Sequence, residues 1–83
     1  MSYYIRERVK GSVWDFNVLD SAIAEFTTSS EGNGFHTLED AVAAWRDLPI
    51  ETKDAHPRAY IIGPRCGCYR PHDGKRMRKD PEA

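Results

Sequence analysis

Residues 37–49 read TLEDAVAAWRDLP, and this stretch decides the class of fold. Its apolar residues recur at the spacing of one helix face, at Leu38, Ala41, Val42, Trp45 and Leu48. Thr37, with Asp40 three residues later, resembles a capping box, and Pro49 cannot continue a helix. The stretch therefore predicts one amphipathic helix over residues 38–48, with Trp45 in the core.

Two alternating stretches precede this helix. Residues 3–10 place Tyr3, Ile5, Glu7 and Val9 on one face, and residues 13–19 alternate in the same way. Gly11-Ser12 is a turn signal between them, so the pair predicts a β-hairpin. Residues 20–28 fit either a short helix or a third strand, and the β-prone Phe-Thr-Thr at their end favours the strand.

The chain beyond the helix predicts one further buried strand. Residues 50–57 are polar and indicate a loop or a single turn, residues 60–62 (YII) are typical of a buried strand, and residues 68–70 can supply a short partner. The predicted order is β-β-β-α-β with a possible fifth strand. This is an α+β fold, an antiparallel sheet with one helix on one face. We expect a single domain over residues 1–71 and a basic, disordered tail over residues 72–83.

Length and composition exclude several classes of protein. The chain has 83 residues, of which 40% are hydrophobic and 30% charged, so it predicts one soluble domain. No stretch approaches the roughly 18 to 20 apolar residues of a membrane span, and no apolar signal region follows Met1. These features favour a cytoplasmic protein without a membrane partner. Cys66 and Cys68 are too close for a comfortable disulfide, so reduced thiols are expected.

Charge is segregated along the chain although the net charge is only −1. Residues 11–57 carry nine acidic side chains against two basic ones, whereas residues 58–83 carry seven basic against three acidic. The second face of the first strand also forms a basic stripe. Such a distribution favours binding of a charged partner, although charge runs are often only solvated surface. The predicted partner-binding residues are Tyr4, Arg6, Arg8, Lys10, Arg65, Tyr69 and Arg70.

A metal site and a catalytic site are both disfavoured. Cys66, Cys68 and His72, with His56 upstream, are residue types that bind zinc, but the one-residue spacer between the cysteines makes chelation awkward. Zinc binding is kept as an alternative, and the prediction is no metal and no cofactor. Serine-hydrolase, zinc-protease and phosphate-loop motifs are absent from the sequence, which predicts a protein that is not an enzyme.

Residues 13–48 resemble small phage and mobile-element proteins in which a hairpin leads into a helix of the type seen at residues 35–45, FHTLEDAVAAW. These proteins include anti-CRISPR and other anti-defence inhibitors. The resemblance implies a small inhibitor that covers a charged site on a host protein or ribonucleoprotein complex, and it assigns no residue a role. An RNA- or DNA-binding module is the alternative. A homodimer that buries the open sheet face is compatible with so small a domain.

Overall fold

A computed structural model describes residues 2–13, 15–28, 33–79 and 81. It confirms the α+β fold. The strands are β1 (Tyr4–Arg8), β2 (Phe16–Asp20), β3 (Glu25–Thr28), β4 (Tyr60–Ile62) and β5 (Cys68–Tyr69), and the helices are α1 (Leu38–Asp47), α2 (Ile50–Ala55) and a 3-10 turn at Pro64–Cys66. The five strands form one antiparallel sheet in the order β3-β2-β1-β4-β5. None of the helices in these ranges has the length and apolar character needed to cross a membrane.

The core lies between α1 and one face of the sheet. Ile5 of β1 is aligned with Leu19 and Ile61 of the flanking strands, and all three side chains are at most 1% exposed. From the helix, Ala41, Trp45 and Leu48 pack against them. The predicted alternation of β1 is therefore present, with Ile5 on the face that meets the core. The prediction that Trp45 belongs to the core is confirmed.

The caps of α1 follow the sequence signals. The Thr37 side chain accepts a hydrogen bond from the backbone N–H of Asp40 at 3.0 Å, which closes the first turn. After Pro49 the chain forms α2, a six-residue helix where a loop or a single turn was expected. Pro49 stops one helix and starts the next, since its fixed φ suits a helix start and its carbonyl accepts hydrogen bonds from Thr52 and Lys53.

The ambiguous stretch at residues 20–28 contains both a turn and a strand. Residues 21–24 form a turn in which Ala24 has a φ of 55° and the Asp20 side chain accepts a hydrogen bond from the Ala22 N–H at 2.8 Å. Only Glu25–Thr28 pairs with β2. The preference for a strand is thus confirmed for the second half of the stretch.

The sheet face opposite α1 is not an open surface of solvated cations. Val18 and Tyr60 are 5% and 1% exposed there, and the guanidinium of Arg6 lies over two rings, 4.3 Å from the centroid of Phe16 and 5.5 Å from that of Tyr60. Nε of Arg6 also donates to the Tyr60 hydroxyl at 2.7 Å. Arg6 is therefore a packed residue whose apolar stem and planar head cover the aromatic cluster.

Residues 70–77 differ from the disordered tail that was expected to begin at residue 72. Arg76 forms a bridge with Tyr69, and the Met77 N–H donates to the carbonyl of Cys68 at 2.8 Å. The carbonyl of His72 accepts two hydrogen bonds from the Arg46 guanidinium of α1, at 2.9 and 3.1 Å. We call residues 70–77 the strap, because they connect β5 to α1. Its order comes from contacts with distant residues, which a composition argument does not detect.

Candidate functional site: a basic groove

An open groove of about 1100 Å³ lies at one end of the sheet. Because neighbouring strands are antiparallel, the ends of β1 and β5 meet the starts of β2 and β4 at this end. The β1–β2 turn, the C-terminal end of α2 and the strap complete the walls. The groove is thus assembled from segments that are far apart in the sequence.

The groove has an apolar floor and a cationic rim. Trp45, Ala59 and Pro71 are buried residues of its lining and form the floor. The rim carries the positively charged side chains Lys10, Arg58 and Arg70, with His72 beside them, and Arg8 also lines the groove, its guanidinium carbon 5.8 Å from the centroid of the Phe16 ring. Lys10, Arg58, Arg70 and His72 are exposed, so their charges face solvent at the mouth of the groove.

Glu7 is the only acidic residue among the described residues that line the groove. Both of its carboxylate oxygens are engaged: Oε1 lies 3.1 Å from Nδ1 of His56, and Oε2 accepts the backbone N–H of Arg58 at 2.8 Å. The Glu7 side chain is only 13% exposed. Its carboxylate therefore holds the segment before β4 in place.

His56 is held on two sides. Nδ1 faces Glu7, and the ring stacks on Phe26 with centroids 3.9 Å apart and an interplanar angle of 25°. Phe26 in turn meets the edge of the Trp45 ring at 6.4 Å. The imidazole keeps 18% of its side-chain surface exposed. It is a positioned titratable group in the wall of the groove.

One of the rim cations is partly neutralised within the strap. Arg70 Nη2 lies 2.8 Å from Oδ2 of Asp73. The backbone N–H of Lys75 is the main cause that lowers the pKa of Asp73 below its ordinary value, and the charge of Arg70 adds to it. Asp73 therefore stays ionised and shields Arg70, so Lys10 and Arg58 supply much of the positive field at the mouth.

Five exposed acidic side chains lie on the helices. They are Glu39, Asp40 and Asp47 of α1 with Glu51 and Asp54 of α2. Asp15, in the β1–β2 turn, and Glu25 of β3 are exposed as well, so the acidic middle of the sequence lies only in part on the helices.

The predicted binding residues do not form one surface. Arg8, Lys10 and Arg70 meet at the groove, whereas Arg6 is packed on the far sheet face. The other three lie elsewhere. Tyr4 lies against Gly34, Arg65 is in the turn between β4 and β5 at a φ of 62°, and the Tyr69 ring contacts Tyr3 at 6.1 Å on the core side.

Three important groove residues, Glu7, His56 and Arg58, were not among the predicted binding residues. Glu7 had a detectable signal, since it occupies a core-facing position of a strand where the alternation calls for an apolar side chain. His56 and Arg58 had none, because only the pairing of β4 with β1 brings them beside Glu7.

The residues considered for zinc do not form a metal cluster among the described side chains. No group of three or more His, Cys, Asp or Glu residues in the described part of the chain is placed to hold an ion. Cys68 is buried at the sheet, and His56 is engaged with Glu7. The side chain of Cys66 and the whole of Trp14 lie outside the described residues.

Comparison of the chain with protein-family models, with curated proteins and with solved structures finds no match in any of the three. The function of the groove is therefore argued from its geometry and charge.

Proposed function

We propose that this protein is a non-catalytic binding protein that docks an acidic segment of a partner protein in the basic groove. The observation that carries the proposal is the combination of a buried apolar floor at Trp45, Ala59 and Pro71 with a rim of exposed cations. Protein interfaces have this anatomy, an apolar centre surrounded by polar and charged groups.

The apolar floor also favours a protein over a nucleic acid as the partner. A phosphate backbone is bound mainly by cations and has little to place on Trp45 or Pro71. The protein as a whole has a net charge of −1 and a pI near 6.3, whereas dedicated nucleic-acid domains often have a pI above about 9. A discrete acidic segment on a protein fits one basic groove on an otherwise acidic molecule.

The biological setting that we propose is inhibition. The resemblance to small anti-defence inhibitors suggests a host protein or a ribonucleoprotein complex as the target, and a groove that covers an acidic segment of that target would block it by occupancy. The proposal needs no cofactor and no metal ion.

A nucleic acid is the second candidate because further cations lie next to the groove. Lys75, Arg76, Arg78 and Lys79 follow the rim residue Arg70 and are all exposed. They could extend the positive surface along a phosphate backbone.

Charge-reversal variants of this protein, tested for binding to a partner captured from lysate, distinguish these candidates. The tagged protein is incubated with lysate with and without nuclease, the retained partner is purified, and its affinity is measured for Arg58→Glu and Arg65→Glu. Both variants change the net charge equally and replace an exposed arginine, but only Arg58 lines the groove. We expect Arg58→Glu to weaken binding by at least about tenfold, since a like charge at an interface is costly, and Arg65→Glu to bind normally.

Two results would contradict the proposal. If nuclease removes the partner, the target is a nucleic acid. If Arg58→Glu and Arg65→Glu have the same affinity, the partner docks outside the groove.

A further inference from the structure

His56 is held in a way that leaves one edge of its ring for a ligand. Nδ1 is directed to Glu7, and one ring face is covered by Phe26. The side chain remains 18% exposed and lines the groove. An ionised carboxylate can only accept hydrogen bonds, so Nδ1 donates its proton to Glu7 and Nε2 is left at the opposite edge.

The surroundings of this ring favour a second negative group. Among the described residues, Glu7 of β1 contacts Nδ1 of the imidazole, Phe26 of β3 stacks on one face of the ring, and Trp45 of α1 meets Phe26 edge-on. The charged residues of the same groove are the cations Arg8, Lys10, Arg58 and Arg70, and His72. No acid other than Glu7 lines the groove among the described residues.

We infer that His56 forms an anion subsite in the wall of the groove, that Glu7 positions it, and that it takes a carboxylate of the partner's acidic segment. This inference rests on the proposed function. A neutral imidazole with its proton on Nδ1 presents a lone pair at Nε2, which repels a carboxylate, whereas the doubly protonated ring donates from both edges. Binding of the carboxylate is therefore accompanied by uptake of one proton at Nε2.

The test uses a deca-glutamate peptide as the probe and measures its affinity for the full chain between pH 8 and pH 6. The glutamate side chains remain ionised over this range. We expect the affinity to rise by about tenfold or more on acidification, with one linked proton limiting the change to roughly tenfold per pH unit. The ring nitrogen signals of His56 should shift on titration with the peptide.

Two histidine variants provide the matched comparison. His56→Gln keeps a neutral polar side chain but cannot take up a proton, so binding should persist with a flat pH profile. His36→Gln replaces an exposed histidine that does not line the groove and should keep the wild-type profile.

The outcomes separate failure of the subsite from failure of the proposed function. Peptide binding with a flat profile in the wild type, or a wild-type profile in His56→Gln, overturns the subsite alone. Absence of peptide binding at every pH overturns both the subsite and the carboxylate-binding groove. If the groove binds a dT10 oligonucleotide and not the peptide, both hypotheses are also overturned, and the groove is a site for phosphate groups.

Discussion

Glu7 is the residue on which the local geometry of the groove depends. It is a nearly buried acid on the core side of β1, and its two oxygens bind the imidazole of His56 and the backbone of Arg58. The start of β4 is therefore attached to the end of β1 by a side chain as well as by the sheet pairing.

We expect Glu7→Ala to lower the free energy of unfolding by about 1 to 3 kcal/mol, because it leaves two polar groups without their acceptor. Urea denaturation measures the change. Glu25→Ala is the control, since Glu25 is an exposed strand residue and its loss should stay within about 0.5 kcal/mol. Equal effects of the two substitutions would show that the Glu7 contacts contribute nothing to stability.

Asp73 gives the strap a dependence on acid pH. Its pKa is lowered in the folded protein by the N–H of Lys75 and by Arg70, so its stabilising contribution is present above the unfolded pKa and is lost as the pH falls through the folded pKa. The loss should occur as the pH falls below the ordinary aspartate pKa of about 3.9.

We therefore expect thermal unfolding of wild type and Asp73→Asn to differ at pH 7 and to converge near pH 2. An unchanged difference across this range would assign the effect of the substitution to something other than ionisation.

At the scale of elements, local sequence signals predict α1 but do not predict the strap. Thr37, Pro49 and the apolar stripe act within one or two turns, and the sequence therefore predicts the helix and both of its ends. The strap has no such signal. Its order depends on Arg46 binding the His72 carbonyl and on Gly74 packing against Val42, and these partners are distant in sequence.

Gly74 tests the docking of the strap on α1. It has a φ of +71°, and a Cβ there would lie 3.1 Å from Cγ2 of Val42. Gly11 is a natural control because its φ is +82° but a Cβ would meet nothing within 4 Å. In both alanine variants, backbone strain should lower the free energy of unfolding by about 1 kcal/mol.

We expect overpacking against Val42 to lower the free energy of unfolding of Gly74→Ala by roughly a further 1 kcal/mol. Chemical denaturation of the two variants measures the difference. Equal losses would mean that the strap is not packed on the helix.

Trp45 connects α1 to the sheet and to the floor of the groove. It is 9% exposed and contacts Phe26, so Trp45→Ala should cost about 3 to 5 kcal/mol. A domain of this size is stable by only about 4 to 12 kcal/mol in total, and the variant should be largely unfolded at 37 °C. Trp45→Phe retains most of the ring volume and should remain folded. A wild-type melting curve for Trp45→Ala would place the helix on a different face.

For the whole molecule, the sequence predicts the α+β class and the separation of charge but not the place where the charges meet. Lys10 and Arg58 line the same groove only because β1 pairs with β4. The predicted binding residues lie on different surfaces for the same reason. Arg6 is paired with aromatic residues of β2 and β4, and strand alternation alone gives no information about those partners.

The central position of β1, between β2 and β4, has a consequence for protein synthesis. β1 can pair with β2 soon after both have left the ribosome, but its other neighbour, β4, begins only at Tyr60. Until that residue emerges, the edge of β1 that later pairs with β4 is unpaired, and an unpaired strand edge favours aggregation. We expect a fragment of residues 1–57 to bind a hydrophobic dye and to unfold without a cooperative transition, whereas the full chain shows one. A cooperative transition in the fragment would mean that the sheet can form before translation supplies β4.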